Sequence, residues 1–241
     1  MRSPIIIALD FPGKKEVESF IEPFEGQPVW VKVGMELFYE VGPDLISILK
    51  EKQFKIFLDL KLHDIPTTVH KAMKRIAGLE ADMVNVHAAG GTAMMKAAIE
   101  GLNEGTRNEK RPLCIGVTQL TSTSSQMLRD ELLIHEPMQN TVCHYASLAR
   151  DSGLDGVVCS PLEVPQIKKV CGSAFLAVTP GIRLAGDDKN DQKRTADPAA
   201  AQQLGSDFIV VGRSITQSLD PLKTYLNIEK EWGLQHETTN S

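Results

Sequence analysis

One stretch of this chain carries charge where an apolar strand is expected: Ile56-Phe57-Leu58-Asp59-Leu60-Lys61-Leu62-His63-Asp64-Ile65. Side chains alternate across a strand, so Asp59 and Lys61 share one face while Leu58, Leu60 and Leu62 take the other. Asp64 falls just beyond the strand end. A buried charge is costly unless paired, and a simple Asp–Lys ion pair is the plainest explanation of an isolated D-x-K. Two neighbouring runs point further. Val31-Lys32-Val33 sets a second lysine inside an apolar run, and the first apolar run ends on Asp10. Ammonium and carboxylate groups held in alternation form a preorganised electrostatic site. A lysine among carboxylates stays protonated and can donate to a developing carbanion. A carboxylate facing an anionic substrate group disfavours that group until it leaves as neutral CO2.

A second anomaly is Val210-Val211-Gly212-Arg213-Ser214, where an apolar run ends on Gly-Arg. Glycine allows close ligand approach and arginine offers a bidentate donor to phosphate. An arginine that merely starts a solvated helix is the competing explanation. Thr179-Pro180-Gly181-Ile182-Arg183 ends the preceding apolar run and supplies another arginine.

These charges need strands to converge them. Apolar runs rich in Ile, Val, Leu and Phe predict eight strands, at residues 5–10, 29–34, 55–62, 83–88, 113–120, 156–160, 174–179 and 207–212. Amphipathic segments at 14–24, 43–52, 66–78, 92–103, 140–152, 164–170 and 198–204 alternate with them, and 222–232 closes the series. Eight such units predict an α/β chain folded as a (β/α)8 TIM barrel, a single domain over residues 1–241 with a polar tail from about His236. An open doubly wound sheet is the alternative, but no G-x-G-x-x-G follows the first strand. In a barrel, Asp10, Lys32, Asp59 and Lys61 would all meet at the C-terminal face, and the loops after strands seven and eight commonly bind phosphate. The polar loops at 121–125 and 183–197 are candidate lids.

Composition bounds the remaining possibilities. A net charge of -5 with no Lys/Arg block argues against nucleic-acid binding. No apolar run approaches membrane-helix length, and the N-terminal apolar run is too short for a signal peptide. The cysteines, Cys114, Cys143, Cys159 and Cys171, form no C-x-x-C pair and suit the reduced thiols of a cytoplasmic protein.

At Ala8-Leu9-Asp10, Val31-Lys32-Val33-Gly34, the stretch from Leu58 to Pro66, Leu120-Thr121-Ser122, Thr179-Pro180-Gly181-Ile182-Arg183, Asp191-Gln192 and Val211-Gly212-Arg213, the sequence resembles the orotidine 5′-phosphate decarboxylase family. The pieces keep the family's order and span nearly the whole chain. The resemblance implies release of CO2 from orotidine 5′-phosphate to give UMP, in de novo pyrimidine biosynthesis, without metal or organic cofactor. It implies that Lys61 protonates C6 of the pyrimidine, with Lys32, Asp59 and Asp64 completing a charged network. Asp10 and Lys32 would hold ribose hydroxyls, and Thr121 and Ser122 would meet the pyrimidine edge. Pro180 would line the substrate site, and Arg183, Gln192, Gly212 and Arg213 would gather the phosphate. It also implies a homodimer in which Asp64, followed by Ile65 and Thr68, reaches the partner's site. Where the family often has proline after the two arginines, this chain has Leu184 and Ser214.

The rival within the same superfamily is a Mg2+-dependent sugar-phosphate decarboxylase or hexulose-phosphate synthase, which shares a similar D-x-K-x-x-D strand. Lys32, Leu120-Thr121-Ser122 and Asp191-Gln192 favour the nucleotide enzyme. No His/Asp/Glu cluster has metal-ligand spacing. Turnover of orotidine 5′-phosphate should therefore survive exhaustive dialysis against EDTA, and loss of turnover restored by Mg2+ would favour the rival.

Overall fold

The computed structural model describes residues 4–107, 110–184 and 195–238. Its strands are β1 (Ile5–Ala8), β2 (Trp30–Gly34), β3 (Lys55–Leu62), β4 (Met83–His87), β5 (Leu113–Val117), β6 (Gly156–Val158), β7 (Leu176–Thr179) and β8 (Phe208–Val211). All pair in parallel, and β8 returns to β1, closing a barrel in chain order. The helices are α1 (Lys14–Ile21), α2 (Met35–Val41), α3 (Asp44–Glu51), α4 (Pro66–Ala77), α5 (Gly91–Gly105), α6 (Ser125–Asp130), α7 (Met138–Asp151), α8 (Val164–Cys171), α9 (Pro198–Gln203), α10 (Arg213–Thr216) and α11 (Pro221–Thr238). This is the single-domain (β/α)8 barrel expected from the alternation of apolar runs.

Several expected boundaries shift. The apolar run at 113–120 is strand only as far as Val117; the next residue, Thr118, donates both its N–H, at 3.2 Å, and its hydroxyl, at 3.1 Å, to the Val158 carbonyl. The polar loop after it holds α6, capped where Ser124 accepts the Met127 N–H. The short helix α2 was not expected, and α10 entered only as the competing explanation of Arg213. Each starts directly at a strand end, leaving too little periodic sequence to register. The last helix runs to Thr238, so the polar tail expected from about His236 begins as helix.

Alternation along the strands sorts the barrel into two layers. One set of positions, Ile6, Trp30, Phe57, Met83, Ile115, Val178 and Val210, packs together inside the barrel. Trp30 and Phe208 meet edge to face there, with ring centroids 5.4 Å apart. The intervening positions, such as Ile7, Val31, Leu58 and Val84, join the larger core beneath the helices. Lys32 and Asp59 carry the parity of Trp30 and Phe57, which directs them inward above this plug. The helix pair α4 and α5 packs backbone to backbone. A Cβ on Gly101 would sit 2.2 Å from the His70 carbonyl oxygen, and one on Gly105 would sit 2.1 Å from that of Lys74.

The opposite end of the barrel is pinned by a recurring aspartate. Asp82, Asp155 and Asp207 each directly precede an even-numbered strand. Each accepts a backbone N–H from the strand before: Ile56 at 2.9 Å, Cys114 at 2.7 Å and Ala177 at 2.7 Å. Each also pairs with a cation, Lys55 at 2.6 Å, Arg111 at 2.6 Å and Lys168 at 2.6 Å. A one-residue slip in register would reverse every side chain of a strand, so these bonds protect the inward parity on which the site depends. Asp155→Ala should lower unfolding free energy by about 1–3 kcal/mol, because it strands the Cys114 N–H. Urea unfolding of the purified variant checks this, and an unchanged midpoint would show that the pin contributes nothing.

Candidate active site

At the C-terminal mouth of the barrel four charged side chains form an alternating chain. Asp10 follows β1, Lys32 lies in β2, and Asp59 and Lys61 lie in β3. Lys32 Nζ stands 3.3 Å from Asp10 Oδ1 and 3.5 Å from Asp59 Oδ2, and Lys61 Nζ stands 2.7 Å from Asp59 Oδ1. Exposure falls from 63% at the Asp10 side chain to 10% at Asp59, so the chain runs from solvent into the floor. Gly34 makes room for the first link, since a Cβ there would lie 3.2 Å from Lys32 Nζ and 3.9 Å from Asp10 Oδ1.

Burial pushes the Asp59 carboxyl up. The Lys32 and Lys61 charges, with hydrogen bonds from Lys61 and Asn85, outweigh it and hold the group below the usual carboxylate value. Asp59 therefore stays ionised although nearly enclosed, as an electrostatic site requires.

These residues floor a cavity of about 940 Å³. Thr121, Ser122, Pro180, Arg183, Gly212 and Arg213, all residues for which the resemblance implies contact with substrate, line it as well. The Arg183 guanidinium donates to the Ile182 carbonyl at 2.8 Å, and its backbone N–H bonds the Ala196 carbonyl at 3.0 Å. The two ends of the long loop after β7 are thus stitched together beside the cavity. Arg213 opens α10 and also faces the cavity, so the two explanations weighed for it coincide. Gln192 lies outside the described residues. Among the described residues, no three His, Cys, Asp or Glu side chains gather where they could hold a metal ion. No described helix is long and apolar enough to cross a membrane.

Asp64, Ile65 and Thr68 do not join this cavity within the chain. Asp64 and Ile65 line a separate open cleft with His63, Pro66 and Gly90, and Ile65 is 64% exposed. Thr68 is exposed in the first turn of α4, its N–H bonded to the Ile65 carbonyl at 3.0 Å.

Residues matching the family described as "Orotidine 5'-phosphate decarboxylase / HUMPS family" extend from 3 to 228. The chain belongs to this family. A relative from Bacillus cereus (strain G9842), named orotidine 5′-phosphate decarboxylase, is 61% identical over 233 residues, covering 96% of this chain and 98% of that protein. A solved structure described as an uncharacterized conserved protein from Geobacillus kaustophilus superposes with a TM-score of 0.86 at 55% identity, covering 95% of this chain and 100% of that one. Orotidine 5′-phosphate decarboxylase from Lactobacillus acidophilus superposes with a TM-score of 0.85 at 44% identity, covering 95% and 99%.

Glu36, Thr216 and Gln217 line the cavity without having been expected there, and two further residues that escaped the sequence reading are Asn85 and Gln119. Asn85 is 1% exposed, donates to Asp59 Oδ1 at 2.6 Å and accepts the Lys61 N–H at 2.7 Å. The signal was an amide at an inward position of an apolar strand, Met83-Val84-Asn85-Val86-His87. Gln119 lines the cavity just beyond β5, in a stretch that sequence alone assigned to the strand.

His87 closes β4 beside His63, with ring centroids 5.7 Å apart. Burial holds its imidazole below the ordinary value of 6.5, and the His63 and Lys61 charges add to this against the pull of Asp59. The unfolded chain therefore takes up a proton near pH 6.5 that the folded chain refuses. Stability should fall as pH drops below 6.5, until the folded imidazole itself titrates. His87→Gln should flatten that fall. Urea midpoints of both proteins across this range check it, and identical pH profiles would rule His87 out as the cause.

Proposed function

We propose that this chain decarboxylates orotidine 5′-phosphate to UMP, a step of pyrimidine biosynthesis, and that Lys61 is the proton donor. The observation that carries the reading is the Asp10–Lys32–Asp59–Lys61 chain at the floor of a nucleotide-sized cavity. The substrate's carboxylate would face Asp59. The C6–carboxylate bond breaks, its electron pair stays on C6, and CO2 leaves. A proton from Lys61 Nζ then completes UMP, and solvent reprotonates the amine. Repulsion between two carboxylates is relieved as one becomes neutral CO2, while the fixed ammonium groups stabilise charge at C6.

The remaining lining supports the same substrate. Arg183 and Arg213 stand on the loops after β7 and β8, where barrels commonly hold phosphate. Gly212 and Gln192 would complete that cradle. Asp10, at the open end of the charged chain, and Lys32 would take the ribose hydroxyls, with Thr121, Ser122 and Pro180 around the base. Phosphate binding energy would be used to organise the site. The free thiols suit a cytoplasmic setting.

The exposed Asp64-Ile65 segment supports a homodimer in which Asp64, Ile65 and Thr68 enter the partner's site. An exposed apolar residue next to a carboxylate gains from burial against a second copy. The test follows the loss of orotidine 5′-phosphate absorbance. Wild-type protein should consume it, and folded Lys61→Ala and Asp64→Ala variants should each be severely impaired. After the two variants are mixed and exchange subunits, each mixed dimer has one site carrying both Lys61 and Asp64. Activity should rise toward about a quarter of wild type, for a two-fold dimer with random exchange. No turnover by wild type would overturn the reaction assigned, and no recovery despite proven exchange would overturn the shared site.

A further inference from the structure

We infer that Asn85 is a positioning residue that sets the Asp59–Lys61 pair through two hydrogen bonds, without touching substrate. The inference rests on the decarboxylase reading.

The need for such a residue comes from an irregularity in the barrel. Leu58 pairs with Val84 and Leu62 with Val86, so β3 takes four residue steps where β4 takes two. The surplus must bulge. Within it Lys61 adopts a φ of 51°, in the left-handed region. That conformation costs an L-residue roughly 1–2 kcal/mol, and bulges re-aim side chains next to active sites. Strand alternation alone therefore does not account for Lys61 sharing a face with Asp59. The bulge decides where the ammonium points.

The bulge also takes the Lys61 N–H out of the regular ladder. Asn85 Oδ1 accepts it at 2.7 Å. An unpaired buried amide would cost about 1–3 kcal/mol, so the side-chain carbonyl replaces the lost backbone partner and makes the conformation tenable. The other end of the same amide donates to Asp59 Oδ1 at 2.6 Å, the oxygen that also meets Lys61 Nζ at 2.7 Å. The Asn85 amide is thereby oriented in one sense: its oxygen must face the N–H and its nitrogen the carboxylate. One planar group fixes the backbone of the proton donor and the side chain of its counter-ion together.

No other side-chain type of this size does both. Leucine offers neither bond. Aspartate keeps an acceptor for Lys61 but sets a second carboxylate against Asp59. Serine has one hydroxyl and a shorter reach. Asn85 is 1% exposed and does not line the cavity, which separates its role from that of the binding residues.

The test compares Asn85→Ala, Asn85→Ser and Asn85→Asp with wild type in three measurements: thermal unfolding, kcat and KM for orotidine 5′-phosphate, and the Kd of UMP by calorimetry. Phosphate and ribose contacts lie on other strands, so UMP affinity should change by no more than about threefold while kcat falls on the order of 10²-fold. Asn85→Asp should lose at least as much as Asn85→Ala, because its added charge opposes Asp59. A folded Asn85→Ala with kcat within about threefold of wild type would overturn the inference. So would a weakening of UMP binding equal to the loss in kcat, or failure of all three variants to fold, each of which would make Asn85 purely structural. Failure of the decarboxylase reading is distinguishable, because wild-type protein would then leave orotidine 5′-phosphate untouched.

Discussion

The Asp59 carboxylate is a nearly enclosed anion, and its survival as an anion organises the rest of the molecule. Burial alone would neutralise it, and three donors oppose burial: Lys32 Nζ on one oxygen, and Lys61 Nζ and Asn85 Nδ2 on the other. Those donors come from β2, β3 and β4. A buried ion pair adds little to stability by comparison with well-packed apolar groups. An arrangement this expensive is intelligible as electrostatic preorganisation, in which the protein orders its charges on folding and the reaction meets them already in place.

That requirement passes down the barrel. Lys32 and Asp59 point inward only while each strand keeps its register, and the two layers of core packing enforce the parity. Trp30, Phe57 and Met83 fill the barrel beneath the charged layer, which closes the floor of the cavity. At the far end, Asp82, Asp155 and Asp207 tie adjacent strands together by bonds to backbone N–H groups. The two ends of the barrel thus divide the work: aspartates at the N-terminal end secure register, and charges at the C-terminal end use it. Cys114, buried among these strands with its thiol pushed up to about 12, is a packing residue.

The segment from His63 to Thr68 follows a different logic. It leaves β3 straight after the bulge, runs exposed, and enters α4 at Pro66, a residue whose fixed φ and missing N–H suit a first helical turn. Gly101 and Gly105 let α5 approach α4 closely, so the segment stands on a rigid base. Charged and apolar groups presented outward from a rigid base suit the homodimer proposed for this chain.

The amino-acid sequence by itself determined the barrel, the placement of Asp10, Lys32 and Asp59 at its mouth, and the arginines of the last two loops. Apolar periodicity and charge inside apolar runs are local signals, and a closed parallel barrel brings all strand ends to one rim. Tertiary structure decided what depends on neighbours distant in sequence. The Lys61 bulge exists because β4 is shorter than β3 over the same span, a comparison between strands that neither contains alone. Asn85 gained its place from that mismatch: read along its own strand it is one polar residue among apolar ones, and only the missing ladder bond opposite gives it a task. Gln119 lines the cavity beyond the end of β5, which stops at Val117 where the sequence reading carried the strand to Leu120. Hydrophobic pattern records which face a residue prefers, whereas the end of a strand is set by the hydrogen-bond partners available beside it.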